Sequence, residues 1–196
     1  NSNFMTQNNV KSQFVVRQIQ EKVVQHLDQP EMTIILGPRQ VGKTILLEQL
    51  QDWLLKQKGV DSRLIFYFNL DIIQDWEQVK DQTRFINFIK ERSQNQKIYV
   101  FIDEAQKVEN PGSFYKGIYD SQLNAKLVLT GSASLYFASQ VKESMAGRKR
   151  IFYLHPFSFE EYLKAKHGSF FELTQWKENV LDYNWQDIKN FYKDYL

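Results

Sequence analysis

Eight consecutive residues, Gly37-Pro38-Arg39-Gln40-Val41-Gly42-Lys43-Thr44, match the spacing G-x-x-x-x-G-K-[ST] at every fixed position. A polyphosphate needs backbone N–H groups converging on its oxygens. Glycines let a chain curl that closely, and a helix that starts there adds the positive end of its dipole. Lys43 is then placed to neutralise the terminal phosphates, and the Thr44 hydroxyl to ligate Mg²⁺. Arg39 brings a further positive charge to the same loop, where a solvent-facing role is an equal reading.

Further along, Ile98-Tyr99-Val100-Phe101-Ile102 is an apolar run closed by two acids, Asp103 and Glu104. Asp103 suits the Mg²⁺ shell, and Glu104, one residue beyond, suits a carboxylate that orients and polarises an attacking water. That pair separates a hydrolase from a kinase or a passive binder. Leu127-Val128-Leu129-Thr130-Gly131-Ser132-Ala133-Ser134 ends a second apolar run in hydroxyls. Thr130 or Ser132 is a candidate contact to the γ-phosphate or the water, beside the alternative of a glycine turn followed by a Ser132 or Ser134 helix cap. Met145-Ala146-Gly147-Arg148-Lys149-Arg150 adds three cations, of which Arg148 is a candidate arginine finger in its own or a neighbouring subunit, against a solvated basic turn. No Asn-Lys-x-Asp guanine signature is present, so ATP is expected rather than GTP. His26, His155 and His167 lack metal-ligand spacing and read as structural or surface residues.

The elements that must position these residues alternate. Val15, Val16, Ile19, Val23 and Leu27 recur at helical spacing, with Ser12 as N-cap and Pro30 beyond the end. A buried strand Met32 to Leu36 precedes the loop, and a helix carrying Leu46, Leu47, Leu50, Trp53 and Leu54 follows it. Strands are expected at Leu64–Leu70, Ile98–Ile102, Leu127–Thr130 and Ile151–Leu154. Helical segments between them carry Phe85, Ile86 and Ile89, then Phe114 to Tyr119, then a run from Ser134. Such alternation predicts an α/β fold with a mainly parallel sheet between helical layers. Ser158 and Glu161 form a capping box, with Phe157 and Tyr162 spaced as a hydrophobic staple, ahead of a helix from Phe159 to Lys166 that stops at Gly168. Beyond it Phe170, Phe171, Trp176, Tyr183, Trp185, Phe191 and Tyr192 mix with charges.

At 196 residues, 42% apolar and 24% charged, the chain suits one α/β domain with appendages. A net charge of +2 makes neither nucleic acid nor an anionic membrane an obligatory partner. The lack of cysteine excludes disulfides, thiolate catalysis and cysteine-bound zinc, and cytoplasm is the expected compartment. No apolar run is long enough to span a bilayer, so no membrane role is expected.

In order and spacing, the loop Leu36 to Thr44, the segment Ile102 to Lys107, Leu129 to Ser134, and Met145 to Arg148 followed by Leu154 to Leu163 resemble a bacterial and archaeal AAA-type ATPase family. Longer members of that family join an N-terminal P-loop domain to a C-terminal domain of poorly defined function. The resemblance covers Phe14 to Leu163 and implies a three-layer P-loop fold with strand order 5-1-4-3-2 and a catalytic glutamate. It also implies that Arg148 works as an arginine finger and that a C-terminal domain follows. The expected organisation is a disordered or adventitious N-terminus at 1–11, an ATPase domain at 12–167, and a helical start of a linker or C-terminal region at 168–196. Oligomerisation is left open. So are two other readings: a non-hydrolysing nucleotide switch, and a DNA-associated module for which only the Arg148 to Arg150 cluster speaks.

Overall fold

The computed structural model describes residues 15–93, 96–166 and 192–195. Its elements are α1 (Gln20–His26), β1 (Met32–Gly37), α2 (Lys43–Lys56), β2 (Ile65–Asn69), α3 (Ile73–Val79), α4 (Gln82–Ser93), β3 (Ile98–Asp103), α5 (Pro111–Asp120), β4 (Ala125–Ser132), α6 (Leu135–Ser144), β5 (Lys149–Tyr153) and α7 (Phe159–Lys166).

The five strands form one sheet in the order β2-β3-β4-β1-β5, with every pairing parallel. This is the expected 5-1-4-3-2 order read from the other edge. All six residues of β1 and of β3 are buried, because helices cover both faces of a parallel sheet and leave no wet side. Strand alternation splits those residues between two layers. Met32, Ile34, Leu36, Ile98, Val100, Ile102, Leu127 and Leu129 pack against α4, α5 and α6 through Phe85, Ile89, Phe114, Tyr115, Ile118 and Phe137. Ile35, Tyr99, Phe101 and Val128 face the other way, onto Val23 of α1, Leu27 just after it, and Leu46, Leu47, Leu50 and Leu54 of α2. The result is helices, sheet, helices in three layers.

Two elements depart from the sequence-based expectation. The first helix starts only at Gln20, and residues 15–17 are irregular, with Val16 68% exposed. The cause is tertiary: the Val15 carbonyl and the Gln18 N–H are engaged by Gln49 and Glu161, contacts a continuing helix would break. Ser12, its expected cap, lies outside the described residues, as do His167, Gly168, Phe170, Phe171, Trp176, Tyr183, Trp185 and Phe191. Between β2 and β3 the expected single helical stretch is two helices. Asp81 divides them, its side chain accepting from the Arg84 N–H at 2.9 Å as an N-cap acid does. The capping box ahead of α7 forms in both directions: Ser158 N–H donates to Glu161 Oε2 at 2.9 Å, and Glu161 N–H to Ser158 Oγ at 3.2 Å.

Candidate nucleotide site

The carboxyl ends of β1, β3 and β4 meet at one edge of the sheet, and the register there sets the site. Gly37 pairs with Ser132, Ile35 with Thr130, and Ile102 with Leu129. β4 therefore stands between the loop strand and the acidic strand, and its hydroxyls enter the gap.

The loop leaves β1 at Gly37, where a Cβ would strike the Leu154 carbonyl, and enters α2 through Gly42 in the left-handed region at φ +94°. Gln40 is left-handed as well, at φ 62°. Left-handed residues within a tight turn gather successive N–H groups on one concave side, a nest for anions. Lys43 opens α2 with 6% of its surface exposed, and its ammonium donates back across the loop to the carbonyls of Pro38 (2.8 Å) and Gly37 (3.1 Å).

Asp103 is 1% exposed yet well supplied with donors. Thr44 Oγ1 donates to its Oδ2 at 2.6 Å, Tyr67 OH to the same oxygen at 3.3 Å, and Thr130 Oγ1 to Oδ1. Burial, followed by the Asp103 charge, pushes the Tyr67 hydroxyl above its ordinary pKa, so it stays a donor. The carboxylate is thus held by hydroxyls from α2, β2 and β4 at once. Next to it, Glu104 sits in the left-handed region at φ 55°, a conformation that costs a non-glycine residue about 1 kcal/mol and is concentrated at functional sites. Its N–H is shared between Asp103 Oδ1 (3.1 Å) and Thr130 Oγ1 (3.3 Å), and its carboxylate accepts from Gln106 Nε2.

Thr130 therefore faces Asp103 and Glu104, not open space: it is fully buried and its hydroxyl serves both neighbours. Ser132 Oγ reaches Ser134 Oγ at 3.2 Å, and Ser134 takes the N-cap position of α6 without a side-chain cap bond. Arg39 stands in the loop and lines the cavity described below.

Arg148 lies at the opposite edge. Its carbonyl accepts from the Met32 N–H at the start of β1, and its Nε donates to Asp120 at 2.7 Å. The length of β1 separates it from the loop, about 16 Å for five steps of ~3.3 Å. It does not reach the site of its own chain, so the own-subunit form of the arginine-finger expectation fails on sheet polarity. Its two basic neighbours are engaged as well: Lys149 donates to the Lys142 carbonyl at 3.1 Å, and the Arg150 guanidinium lies 6.0 Å from the Phe152 ring.

The structure adds residues that the sequence reading left out. Arg17 is 6% exposed and ties three segments together. It pairs with Glu161 Oε1 at 3.0 Å, donates to Val41 O of the loop at 2.9 Å and to His155 O at 2.5 Å, and covers the Phe157 ring at 4.4 Å. Burial pushes the Glu161 carboxyl up, but N–H donors from Ser158 and Gln18 and the Arg17 guanidinium outweigh it and leave the group below its ordinary value. A cavity of about 470 Å³ adjoins the loop, lined by Val15, Arg17, Val41, Ile45, Pro156 and Phe157 among others. Its volume is in the range of small-molecule sites. Tyr67 and Gln106 also enter the site; no local motif marks Arg17 or Tyr67, and Gln106 lies in the Ile102 to Lys107 segment without a predicted role.

A parallel sheet of this order, with a glycine-lysine loop leading from β1 into α2, defines a P-loop nucleotide-binding protein. The family profile described as an AAA domain matches residues 29–163, and the chain belongs to that family. It is 33% identical over 148 residues to an uncharacterised protein of Haemophilus influenzae, covering 74% of this chain and 36% of that one. It is 25% identical over 196 residues to an uncharacterised protein of Methanocaldococcus jannaschii, covering 94% of this chain and 39% of that one. The chain thus spans less than two fifths of the length of these curated relatives. Among solved structures, PCH-2 of C. elegans is similar at TM-score 0.55 and 13% identity, over 84% of this chain and 49% of that one, which is a likeness of fold. No helix among the described residues is long and apolar enough to cross a membrane.

Proposed function

We propose that this chain is the Mg²⁺-dependent ATPase part of a longer protein, binding ATP on the loop Gly37 to Thr44 and hydrolysing its γ-phosphate with Glu104 as the water-activating base. The observation that carries the reading is the meeting of three groups at one sheet edge: Lys43 across the loop, Thr44 bonded to Asp103 at 2.6 Å, and Glu104 held beside them by Thr130 and Gln106.

The donor set fits magnesium. Thr44 and Asp103 offer hard oxygens in contact, and no group of three or more His, Cys, Asp or Glu side chains suited to an all-protein metal cage occurs among the described residues. Magnesium is commonly held by one or two protein oxygens together with substrate phosphates. When bound it would supply charge neutralisation at the phosphates. Lys43 would exchange its bonds to the Gly37 and Pro38 carbonyls for phosphate oxygens, and the loop amides would fix the triphosphate. Glu104 would accept the proton of the attacking water. The buried Asp103, held by hydroxyls of Thr44, Tyr67 and Thr130, would face the metal side of the site. Arg148 enters this reading only from a neighbouring copy, as a cation added to that copy's phosphates, and the turnover drives whatever the remainder of the longer protein does.

The test is phosphate release with Mg·ATP alongside calorimetric ATP binding. Glu104→Gln should keep binding and lose on the order of 10²–10⁴ in turnover, whereas Lys43→Ala should lose binding. Hydrolysis at the wild-type rate by Glu104→Gln removes the catalytic assignment. Tight ATP binding by the wild type with no turnover at any protein concentration would leave a nucleotide switch instead.

A further inference from the structure

We propose that Gln49 selects the base at this site, its side-chain oxygen accepting a hydrogen bond from the exocyclic amino group of adenine; the inference rests on the ATP reading above.

Gly42, Ile45 and Gln49 all line the cavity beside the loop. They are three and four residues apart, the spacing that places side chains on one face of a helix. Gln49 lies about 7–8 Å along the α2 axis from Thr44, at 1.5 Å per residue. A nucleotide anchored by its phosphates on the loop and the start of α2 would carry its sugar and base along this face. The walls suit a flat aromatic ring: Val15, Val41, Ile45 and Pro156 are apolar, and Phe157 brings a ring of its own.

Gln49 is a polar residue buried in the body of α2, with 6% of its surface exposed. Its Nε2 donates to the Val15 carbonyl at 3.0 Å, and because a carbonyl can only accept, the amide orientation follows. The other end, Oε1, is buried with no hydrogen-bond partner among the described residues. A buried acceptor without a donor is destabilising and rare in folded proteins, and a ligand that brings an N–H to it relieves the penalty. Arg17 does not meet that need: its donors go to Glu161, Val41 and His155.

The chemistry discriminates at the purine C6 position. Adenine carries an amino group there and donates. Guanine and hypoxanthine carry an oxygen, which would set acceptor against acceptor, while a purine with only hydrogen at C6 offers nothing. An unmet acceptor rejects the analogue lacking the donor more strongly than an apolar wall rejects a change in size.

Calorimetry with the Mg²⁺ complexes of ATP, purine riboside triphosphate (hydrogen at C6) and inosine triphosphate (oxygen at C6) tests the assignment on the wild-type chain. ATP should bind roughly tenfold tighter than the C6–H analogue, the scale of one buried neutral hydrogen bond, and inosine triphosphate should bind more weakly still. In Gln49→Leu the advantage of ATP over the C6–H analogue should vanish whatever happens to overall affinity, so any change in the placement of Val15 cancels between the two ligands. Equal binding of the three triphosphates by the wild type, or an ATP advantage that survives in Gln49→Leu, overturns the role of Gln49 and leaves the ATP site standing. A wild type that binds none of them removes the ATP reading itself, and this inference with it.

Discussion

Replacing Arg17 by methionine should be among the most damaging single changes outside the sheet, and the structure sets its size. Arg17 and Glu161 are each 6% exposed and bonded at 3.0 Å, so neither charge has water to fall back on. Removing one member of a buried pair costs about 3–5 kcal/mol, because the survivor is left charged in a poorly polarisable surrounding. Here the survivor keeps two backbone donors, Gln18 N–H at 2.8 Å and Ser158 N–H at 2.9 Å, which argues for the lower end, about 3 kcal/mol. With a urea slope of about 1.5–2 kcal/mol/M, the unfolding midpoint should fall by about 1.5–2 M. Acidity supplies an internal control. Glu161 titrates below its ordinary value in the folded chain, so its stabilisation is present above about pH 4.5 and fades as the pH falls. In Arg17→Met the unpaired carboxyl gains by taking a proton, so the gap between variant and wild type should narrow on going from pH 7 to pH 4. Arg17→Met/Glu161→Gln, with no orphaned charge, should be more stable at pH 7 than Arg17→Met alone. A midpoint shift worth under 1 kcal/mol, or a gap independent of pH, would refute the reasoning.

Two further outcomes follow from the same geometry. Thr130→Val removes one hydroxyl donor from Asp103 and the acceptor shared by the Glu104 N–H, while keeping the side-chain shape. As a positioning residue it should lower kcat about 10–100-fold, the usual effect of losing an outer partner of a metal-site carboxylate, with ATP affinity measured without Mg²⁺ unchanged; a matching loss of metal-free affinity would point to general damage. At the far edge of the sheet, burial and then the Lys126 charge lower His26 to about 4, with Arg150 acting in the same direction and Glu31 opposing. The folded chain then refuses a proton that the unfolded chain accepts below pH 6.5, so stability should fall as the pH drops from 6.5 towards 4. His26→Gln should flatten that stretch of the curve by about 1–2 kcal/mol in thermal or urea unfolding; an unchanged slope would remove His26 as its source.

What could be read from the sequence is what neighbouring residues decide among themselves. The loop, the acid pair closing β3 and the Ser158–Glu161 box are each set within a few residues, and so are the buried runs that make β1 and β3. What could not be read depends on strand order and on pairs far apart in the chain. Thr130 meets Asp103 only because β4 lies between β1 and β3, which turns a candidate phosphate contact into a clamp on a carboxylate. Arg148 is in the expected place in sequence, yet a parallel sheet puts the start of β5 at the edge away from the loop, so it leaves its own site. The helical spacing of Val15, Val16 and Ile19 is outweighed by partners that periodicity cannot display: Glu161, 143 residues from Gln18, and Gln49, 34 residues from Val15. The second of these contacts lies in the cavity wall. The residues that give the site its phosphate chemistry are therefore local and legible, whereas Arg17, Tyr67 and Gln49, which hold the carboxylate and shape the space for the rest of the ligand, are products of the fold.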